Sequence, residues 1–166
     1  MTDASSFEWK KYLTECVEAT EYCALGTVDE NGVWVNPVWF AVDDSFNVYF
    51  ISKPDSRHMK NIEKDKSVSI AIYRTNYGYT DDKIGIQLQG DAVILSDTDV
   101  DEAYDIYYGR KYPDIRKNKR GKEVDDYKGK NAEWKFVKIT PTNLYYFDMR
   151  FFDEERQTVP LGQLTA

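Results

Sequence analysis

The residues best suited to chemistry lie close together in one short segment, SKPDSRHMKN, which begins at Ser52. Ser52 and Ser56 offer hydroxyl groups, while Arg57 and Lys60 offer positive charge. His58 is the only histidine in the sequence. A helix that begins near Ser56 would aim free N–H groups and the positive end of its dipole at the same place, and both favour an anion. Hydrogen bonds to charged groups contribute about 1.5–3 kcal/mol each, so two or three could hold a phosphate. The alternative is a capped surface helix with ordinary cations.

Familiar catalytic templates are missing from the sequence. It contains no HExxH, no P-loop, no GxSxG and no GxGxxG after a predicted strand. Carboxylates are abundant, but no acid/base pair stands out from a solvated acidic surface. Cys16, Cys23 and His58 are too few for a disulfide framework or a zinc site. We therefore predict no metal site, name no catalytic residue, and expect both cysteines to be small buried residues.

The bulk composition is typical of one globular domain, with 166 residues of which 42% are hydrophobic. The net charge of −7 argues against nucleic acid as a partner, since that interaction depends on Lys and Arg. The basic stretch Arg110–Lys122 is a local exception, and we predict a solvated loop there. No signal-length apolar stretch opens the sequence and no 18-residue apolar run occurs, which predicts a cytoplasmic protein without membrane contact. The 13 tyrosines suit a ligand wall, a subunit interface or a tyrosine-rich β-surface.

Changes in hydrophobic period divide the chain into helices and strands. Ser5, followed three residues later by Glu8, predicts a capping box before a first helix that ends near residue 20. Asn31-Gly32 between apolar runs predicts a β-hairpin. Gly90 predicts a bulge or a close approach of two backbones. The predicted strands are 22–28, 33–42, 48–52, 67–74, 84–95, and 134–140 with 142–149, interrupted at Pro141. A second, short helix begins at Asp55 or Ser56. A third helix begins at Ser96 or Asp97 and runs to about Tyr108.

Six or seven antiparallel strands with short turns favour a small β-barrel, because closure removes the exposed edges of the sheet. An open sheet packed by helices is the alternative. Pro37 requires an edge, a bulge or a ligand-facing backbone. We predict a single domain, 1–166. Its divisions are an N-terminal helix (1–21), barrel strands with a phosphate-binding turn (22–95), a helix and basic loop insertion (96–133), closing strands (134–150) and a tail (151–166). The tail has few core residues, and we expect it to reach a neighbouring subunit.

Residues 22–95 resemble the pyridoxamine 5'-phosphate oxidase-like family of FMN-binding split barrels. The resemblance follows, in order, the strand CALGTV, the Asn-Gly turn, a strand containing NPVWF, a strand ending YFIS and a strand ending QLQG. Its most specific part runs from Ser56-Arg57 through Asn61-Ile62 to Val68-Ser69. FVKITPTNLYYFD, at 136–148, is similar to the family's closing strand. The resemblance implies a mainly β fold, a six-stranded antiparallel split barrel with peripheral helices, and a homodimer with one FMN in each of two interface clefts.

The resemblance also implies where FMN would lie. Arg57 and His58 fall where the family places an Arg and a Lys on the FMN phosphate. Ile51 and Ser52 fall at the pair that follows the isoalloxazine and the ribityl chain. The stretch from Asn36 to Trp39 falls on the strand whose backbone lines the flavin. The predicted cofactor-binding residues are Asn36, Pro37, Val38, Trp39, Ile51, Ser52, Ser56, Arg57, His58, Lys60 and Gln87.

The sequence departs from the oxidase that names the family. Asn36 and Ala41 stand where the oxidase carries an Arg and a Lys, and the Lys also serves its phosphorylated substrate. Gly85 stands where it has a flavin-contacting Gln, for which Gln87 or Gln89 would substitute. The oxidase's C-terminal Trp and Arg motif has no counterpart in 150–166. We therefore expect FMN binding without pyridoxamine phosphate oxidation, and a place nearer the family's general-stress-protein and nitroimidazole-reductase-like groups.

Three functions remain open from the sequence. The leading hypothesis is an FMN-dependent oxidoreductase that acts on a small molecule, with NADH or NADPH as the expected donor. Its substrate would lie at the exposed flavin face, between the aromatic closing segment and a partner subunit, unless those rings are plain barrel core and interface. The alternatives are a module of stress-response type that binds FMN, or haem through His58, without turnover, and an interaction protein that kept the barrel and lost the ligand. The closing-segment aromatic residues are Tyr145, Tyr146, Phe147, Phe151 and Phe152.

Overall fold

The computed structural model describes residues 6–74, 78–117 and 122–164. Within these ranges, seven antiparallel strands form one sheet in the order β3-β2-β1-β4-β5-β6-β7. Short hairpins join the first three strands, and Gly32 adopts a φ of 106° beside the predicted Asn-Gly turn, a conformation that glycine adopts without steric cost. The strands are β1 Tyr22–Asp29, β2 Gly32–Val42, β3 Val48–Ser52, β4 Ser67–Tyr73, β5 Ile84–Ile94, β6 Lys135–Asp148 and β7 Arg156–Thr158.

The sheet closes on itself because β3 pairs with β6 from Val48↔Ile139 to Ser52↔Lys135. Six strands therefore make a closed antiparallel barrel, and β7 adds to the outside of β6. This confirms the predicted mainly β split barrel and excludes the open sheet. The alternating burial of β4, in which every second residue is buried, shows how one face of each strand fills the interior.

Short helices pack around the barrel. The first helix, α1, buries Trp9, Leu13, Cys16 and Val17 against it. In the third helix the backbone widens after Tyr104 into a π-helical segment, Asp105–Lys111. The α-helices are α1 Trp9–Glu18, α2 Arg57–Lys64, α3 Val100–Tyr104, α4 Pro113–Lys117 and α5 Met149–Phe152, and 3₁₀ turns occupy Val124–Tyr127 and Leu161–Gln163.

Two hydrophobic clusters stabilise the fold. The larger fills the barrel and extends to α1 and the C-terminal residues. The second lies outside the barrel, where α3, the π-helical segment and the turn at Val124–Tyr127 cover the outward side chains Ala41, Tyr49 and Phe136. Four of the tyrosines in this outer cluster belong to α3 and the segment that follows it, namely Tyr104, Tyr107, Tyr108 and Tyr112.

Several predictions about the second half of the chain were wrong. The last strand is not interrupted at Pro141, because Pro141 lies opposite Gly90 where the β5–β6 register shifts. That shift confirms the bulge predicted at Gly90, where an added Cβ would lie 2.5 Å from Thr140 O. The third helix begins at Val100 with Asp99 at its N-cap, rather than after Ser96 or Asp97.

The basic stretch and the tail are also more ordered than predicted. Lys111 lies in the π-helical segment and is half-buried, and residues 113–117 are helical, so this part is not a solvated loop. Residues 118–121 lie outside the described residues, as does Ser5 of the predicted capping box. The tail pairs with β6 and buries Val159 and Leu164 in its own barrel core, because its apolar side chains find a surface there. Among the described residues, no helix is long and apolar enough to cross a membrane.

Candidate functional site

A cleft opens where β2 separates from β3. The two strands pair only from Phe40↔Phe50 to Val42↔Val48. Beyond Phe40, the N-terminal part of β2 keeps β1 on one edge, and its other edge faces a cavity of about 530 Å³. A proline is tolerated at such an edge because it has no N–H to give to a neighbouring strand, which explains Pro37. The separation of two strands thus creates a ligand-sized cavity at the side of the barrel.

The cleft brings together most of the predicted cofactor-binding residues. The stretch from Asn36 to Trp39 forms one wall, and Ile51 and Ser52 lie at the end of β3. His58 reaches the cleft from the first turn of α2. The segment between β5 and β6 supplies the opposite wall, which sequence reasoning did not identify. The residues of that wall are Tyr107, Tyr108, Lys122, Tyr127 and Trp134.

One end of the cleft carries a cluster of hydroxyl and imidazole groups, formed by Ser52, Ser56 and His58. Ser52 Oγ lies 2.7 Å from His58 Nε2, and Ser56 Oγ lies 3.3 Å from both. Burial lowers the pKa of His58 below its ordinary value, so the imidazole is neutral at pH 7. Ser56 itself is not among the lining residues, but it touches two residues that are. The cluster can therefore donate hydrogen bonds into the cleft.

The N-terminus of α2 lies beside this cluster. Ser56 is the N-cap residue in an extended conformation, yet its side chain makes no capping bond, and Ser56 Oγ donates to Lys53 O at 2.8 Å instead. The first turn carries no acidic residue. The N–H groups of this turn consequently have no side-chain cap, and such groups together with the positive end of the helix dipole favour an anion.

Asn36 provides a second polar position in the cleft. Its side-chain oxygen Oδ1 is buried and has no hydrogen-bond partner among the described residues. A buried oxygen without a donor costs free energy, so such atoms are rare in folded proteins. Because Asn36 lines the cleft, a ligand with a donor group would satisfy this atom.

Arg57 does not line the cleft, although it is next to His58. Its guanidinium binds Asp29 through two hydrogen bonds, Nε to Oδ2 at 2.7 Å and Nη2 to Oδ1 at 3.0 Å. The same group lies 4.5 Å from the ring centroid of Trp34. The pair raises the pKa of Arg57 and lowers that of Asp29. Arg57 thus fastens the β1–β2 hairpin to α2, and it would have to leave Asp29 to reach an anion in the cleft.

Lys60 and Gln87 also lie outside the cleft. Lys60 is exposed on α2. Gln87 lines a separate depression on the outer face of the sheet, together with Gly26, Ser69 and Tyr145. The structure therefore does not bring these two predicted residues to the seven that line the cleft, and what they bind stays a prediction.

The aromatic closing segment does not face the cleft either. Tyr146 and Phe152 are buried in the barrel core, where Phe152 stacks on Trp9 with ring centroids 6.0 Å apart. Tyr145 and Phe147 line depressions on the outer sheet face. Strand alternation thus turns these rings to the core and to the outer face, and the expected substrate position between them and a partner subunit stays a prediction. The aromatic residues that line the cleft include Tyr107 and Tyr108, and the run YDIYYGRKY was the sequence signal for them.

Groups for a metal ion are missing from the part of the chain that is described. No three or more His, Cys, Asp or Glu side chains in residues 6–74, 78–117 and 122–164 are grouped to hold one. Cys16 and Cys23 are buried, and burial raises the pKa of each thiol to about 12, so neither is a reactive thiolate at neutral pH.

Comparison with known proteins identifies the family. Residues 10–146 match the family described as Pyridoxamine 5'-phosphate oxidase. A search of curated proteins found no match. The fold is similar to that of General Stress Protein 26 from Bacillus anthracis, with a TM-score of 0.58 and 19% identity over 92% of this chain and 100% of the other.

Two further solved structures are longer than this chain. A haem-binding protein from Mycobacterium smegmatis gives a TM-score of 0.69 at 12% identity, over 99% of this chain and 60% of the other. A protein of unknown function from Agrobacterium tumefaciens gives 0.66 at 15% identity, over 88% and 59%. This chain therefore spans about three fifths of each. At such identities the similarity establishes the fold alone.

Proposed function

This chain belongs to the pyridoxamine 5'-phosphate oxidase family, and from that membership and the cleft geometry we propose that it binds FMN in the cleft between β2 and β3. The proposal rests on one observation. The same cavity has the uncapped N-terminus of α2 at one end and the unpaired edge of β2 along one side. A phosphate-bearing planar cofactor needs both in one cavity. The cavity of about 530 Å³ lies within the usual range for small-molecule sites.

The phosphate would bind at the hydroxyl and imidazole cluster. Ser52 can donate its hydroxyl hydrogen bond when His58 Nε2–H donates to Ser52 Oγ, Ser56 would first have to release Lys53 O, and the first turn of α2 offers uncapped N–H groups. A phosphate would also favour the protonated form of His58, opposing the effect of burial on its pKa. Lys122 lies at the same cleft, but its Nζ is 2.5 Å from Glu133 Oε2, so much of its charge is already compensated.

The flavin ring would lie along the unpaired edge of β2. Asn36 Oδ1 is an acceptor without a donor, and the ring system of FMN carries an N–H that could satisfy it. Trp39, which is partly exposed at the cleft, packs on Tyr112 with ring centroids 5.5 Å apart and so has a fixed orientation. When bound, FMN supplies hydride and electron transfer, whereas the protein supplies position and an environment for it.

An FMN-dependent oxidoreductase is the function that this site supports best. We assign no catalytic residue: burial raises the pKa of Tyr107 and Tyr108, so neither phenol is poised to give up a proton at neutral pH. The second candidate is a haem-binding module, which the similarity to the Mycobacterium smegmatis protein favours. Haem would need His58 as its ligand, so Nε2 would have to give up Ser52.

A titration separates these functions. Purified protein stripped of small molecules is titrated with FMN and, separately, with haemin, while the absorption spectrum is recorded. We expect saturable FMN binding, and bleaching of the bound flavin by NADH or NADPH if the protein is a reductase. A flavin that neither nucleotide reduces indicates the non-catalytic module. Binding of haemin but not FMN would overturn the proposal.

Ser52→Ala tests the placement of the phosphate. A lost hydrogen bond to a charged group is worth about 1.5–3 kcal/mol, which corresponds to roughly tenfold weaker FMN binding or more. Ser67→Ala is the matched control, since Ser67 is exposed at the start of β4. Equal FMN affinity of the two variants would place the phosphate elsewhere.

We also propose that two copies of the chain associate through the outer sheet face. Val33, Val35 and Tyr73 expose more than half of their surface there, and association would bury them. Gln87 lies on this face, so pairing would bring it toward a partner copy. Sedimentation velocity should give a dimer, and Val35→Lys should give a monomer. A monomeric wild-type protein would contradict this arrangement.

A further inference from the structure

The π-helical segment forms part of the cleft wall. π-Helices are rare, occur mostly as single turns, and are frequently found at functional sites. Here the segment spans Asp105–Lys111, and its wide turn directs the consecutive residues Tyr107 and Tyr108 to the same cleft. Tyr127 completes this surface from the 3₁₀ turn. We call Tyr107, Tyr108 and Tyr127 the tyrosine wall.

Buried hydrogen bonds fix the position of the tyrosine wall. Lys111 Nζ donates to Val17 O at 2.6 Å and to Thr20 O at 2.9 Å, at the end of α1. Tyr112 OH donates to Phe40 O at 2.9 Å, at the point where β2 leaves β3. Lys111 is the last residue of the π-helical segment, and Tyr112 follows it directly. The wall is therefore held in place before any ligand arrives, which lowers the entropic cost of binding.

Two hydroxyl groups of the wall form a donor pair. Tyr108 OH and Tyr127 OH are 2.7 Å apart. In such a pair one hydroxyl donates to the other, and the second hydroxyl keeps a proton that it can donate to another acceptor. Burial raises the pKa of both phenols, so they stay protonated at neutral pH. The pair can thus donate one hydrogen bond to an acceptor in the cleft.

The wall presents no charge to a ligand. The ionisable cations that line the cleft are His58, which is neutral at pH 7, and Lys122, which is paired with Glu133. No carboxylate lines it among the described residues. The rings of the wall are not coplanar, since Tyr107 is T-shaped to Tyr108 with an interplanar angle of 75°, so a flat ligand would stack on one ring at a time. Aromatic rings without free charge favour uncharged partners, and the hydroxyl pair requires an acceptor atom on that partner.

We propose that the tyrosine wall selects the second ligand of the site, the substrate, as a flat, uncharged molecule whose carbonyl oxygen accepts a hydrogen bond from the Tyr108–Tyr127 pair. The inference rests on the proposed function, because it assigns the β2 and α2 side of the cleft to FMN and this side to the substrate. The tyrosines position the substrate; they transfer no proton to it.

The test uses two probes that differ only in the carbonyl group, 1-indanone and indane. Binding of each to FMN-loaded protein is measured by calorimetry, for the wild type and for the double variant Tyr108→Phe/Tyr127→Phe. Removing both hydroxyls leaves neither of the pair unsatisfied and takes away only one further hydrogen bond, between Tyr127 and the backbone of Lys122, so the melting temperature should fall by no more than that single bond accounts for. We expect 1-indanone to bind about three- to tenfold more weakly to the double variant, from the loss of one hydrogen bond, and indane to bind both proteins equally.

Further measurements decide between the remaining outcomes. Tyr49→Phe is the control variant, because Tyr49 belongs to the same outer cluster but does not line the cleft, and it should leave both probes unaffected. Equal loss of both probes, or no loss of 1-indanone, would overturn the inference. A fall in FMN affinity in the double variant would also overturn it, since the pair would then contact the flavin. If the wild type does not bind FMN, the proposed function fails, and the same probe titrations on the unloaded protein still test the wall.

Discussion

Two buried polar clusters in this molecule differ in how completely they are hydrogen-bonded. At the end of β6, Asp148 is fully buried, and both of its oxygens are engaged: Oδ2 accepts from Tyr146 OH at 2.6 Å, and Arg150 contributes three further donors. Glu15 in turn binds Arg150 Nη1 at 2.9 Å. In the cleft, by contrast, Asn36 Oδ1 has no partner in the described chain and the N-terminus of α2 has no side-chain cap.

The difference distinguishes polar groups that stabilise the fold from polar groups that remain available to bind a ligand. A saturated cluster contributes stability and has no capacity left for a ligand. An incomplete cluster in a cavity costs stability in the free protein and recovers it when a ligand supplies the missing groups. Substitutions in the first cluster should therefore change unfolding, and those in the second should change affinity.

Asp148→Asn should have the largest effect. It leaves Arg150 without its buried carboxylate and turns an amide toward donors, so we expect about 2–4 kcal/mol loss in the free energy of unfolding. Urea unfolding measures this loss. Glu15→Gln, at the half-exposed end of the same Arg150, should cost less than about 1 kcal/mol. If the two variants lose the same amount, the saturated cluster is not the stabilising element that its geometry indicates.

Arg57→Ala should weaken FMN binding by about three- to tenfold, which is less than a full charged hydrogen bond because Arg57 must first leave Asp29. Asp29→Asn should tighten FMN binding slightly, since it releases Arg57. Lys64→Ala is the control, because Lys64 is exposed in the last turn of the same helix, and it should change little. Fluorescence titration of FMN measures all three. Weaker binding in Asp29→Asn would show that Arg57 acts only through the hairpin.

The smallest effect should come from the protonation of His58. Burial lowers its pKa in the free protein, so the unfolded state binds more protons below about pH 6.5, and the free energy of unfolding falls as pH drops through that range. FMN binding should change in the opposite direction and be tighter at pH 6 than at pH 8. His58→Gln should reduce both dependences. Equal or tighter binding at pH 8 would remove His58 from the phosphate site.

Much of the barrel was predictable because its strands alternate and its turns have clear signals. The prediction of β3 at 48–52 matches the structure, and the bulge predicted at Gly90 is confirmed. Pro141 misled the prediction, since a proline normally interrupts a strand, and only the register shift in the partner strand accommodates it. This register shift depends on the pairing of Gly90 with Pro141, which are 51 residues apart, and local sequence patterns do not predict such a pairing.

The candidate site was predictable on one side only. The segment from Ser52 to His58 combines a strand end with a helix start, so its chemistry is visible locally. The partner of Arg57 is Asp29, 28 residues earlier, and the sequence indicated the charge but not this contact. The tyrosine wall depends on a π-helical turn, and hydrophobic periodicity indicates helix there without its wider turn.

The docking of the N-terminal segment on the C-terminal one has a consequence for synthesis of the protein. Phe7 packs on Phe152 with ring centroids 4.8 Å apart, and barrel closure needs β6, which ends at Asp148. On the ribosome, Phe7 emerges well before Phe152, so its apolar surface stays uncovered until the later segment has been made. Contacts between distant parts of a chain also slow folding. During that interval the nascent chain exposes aromatic surface, and we expect it to depend on chaperones more than a protein whose helices pair with near neighbours.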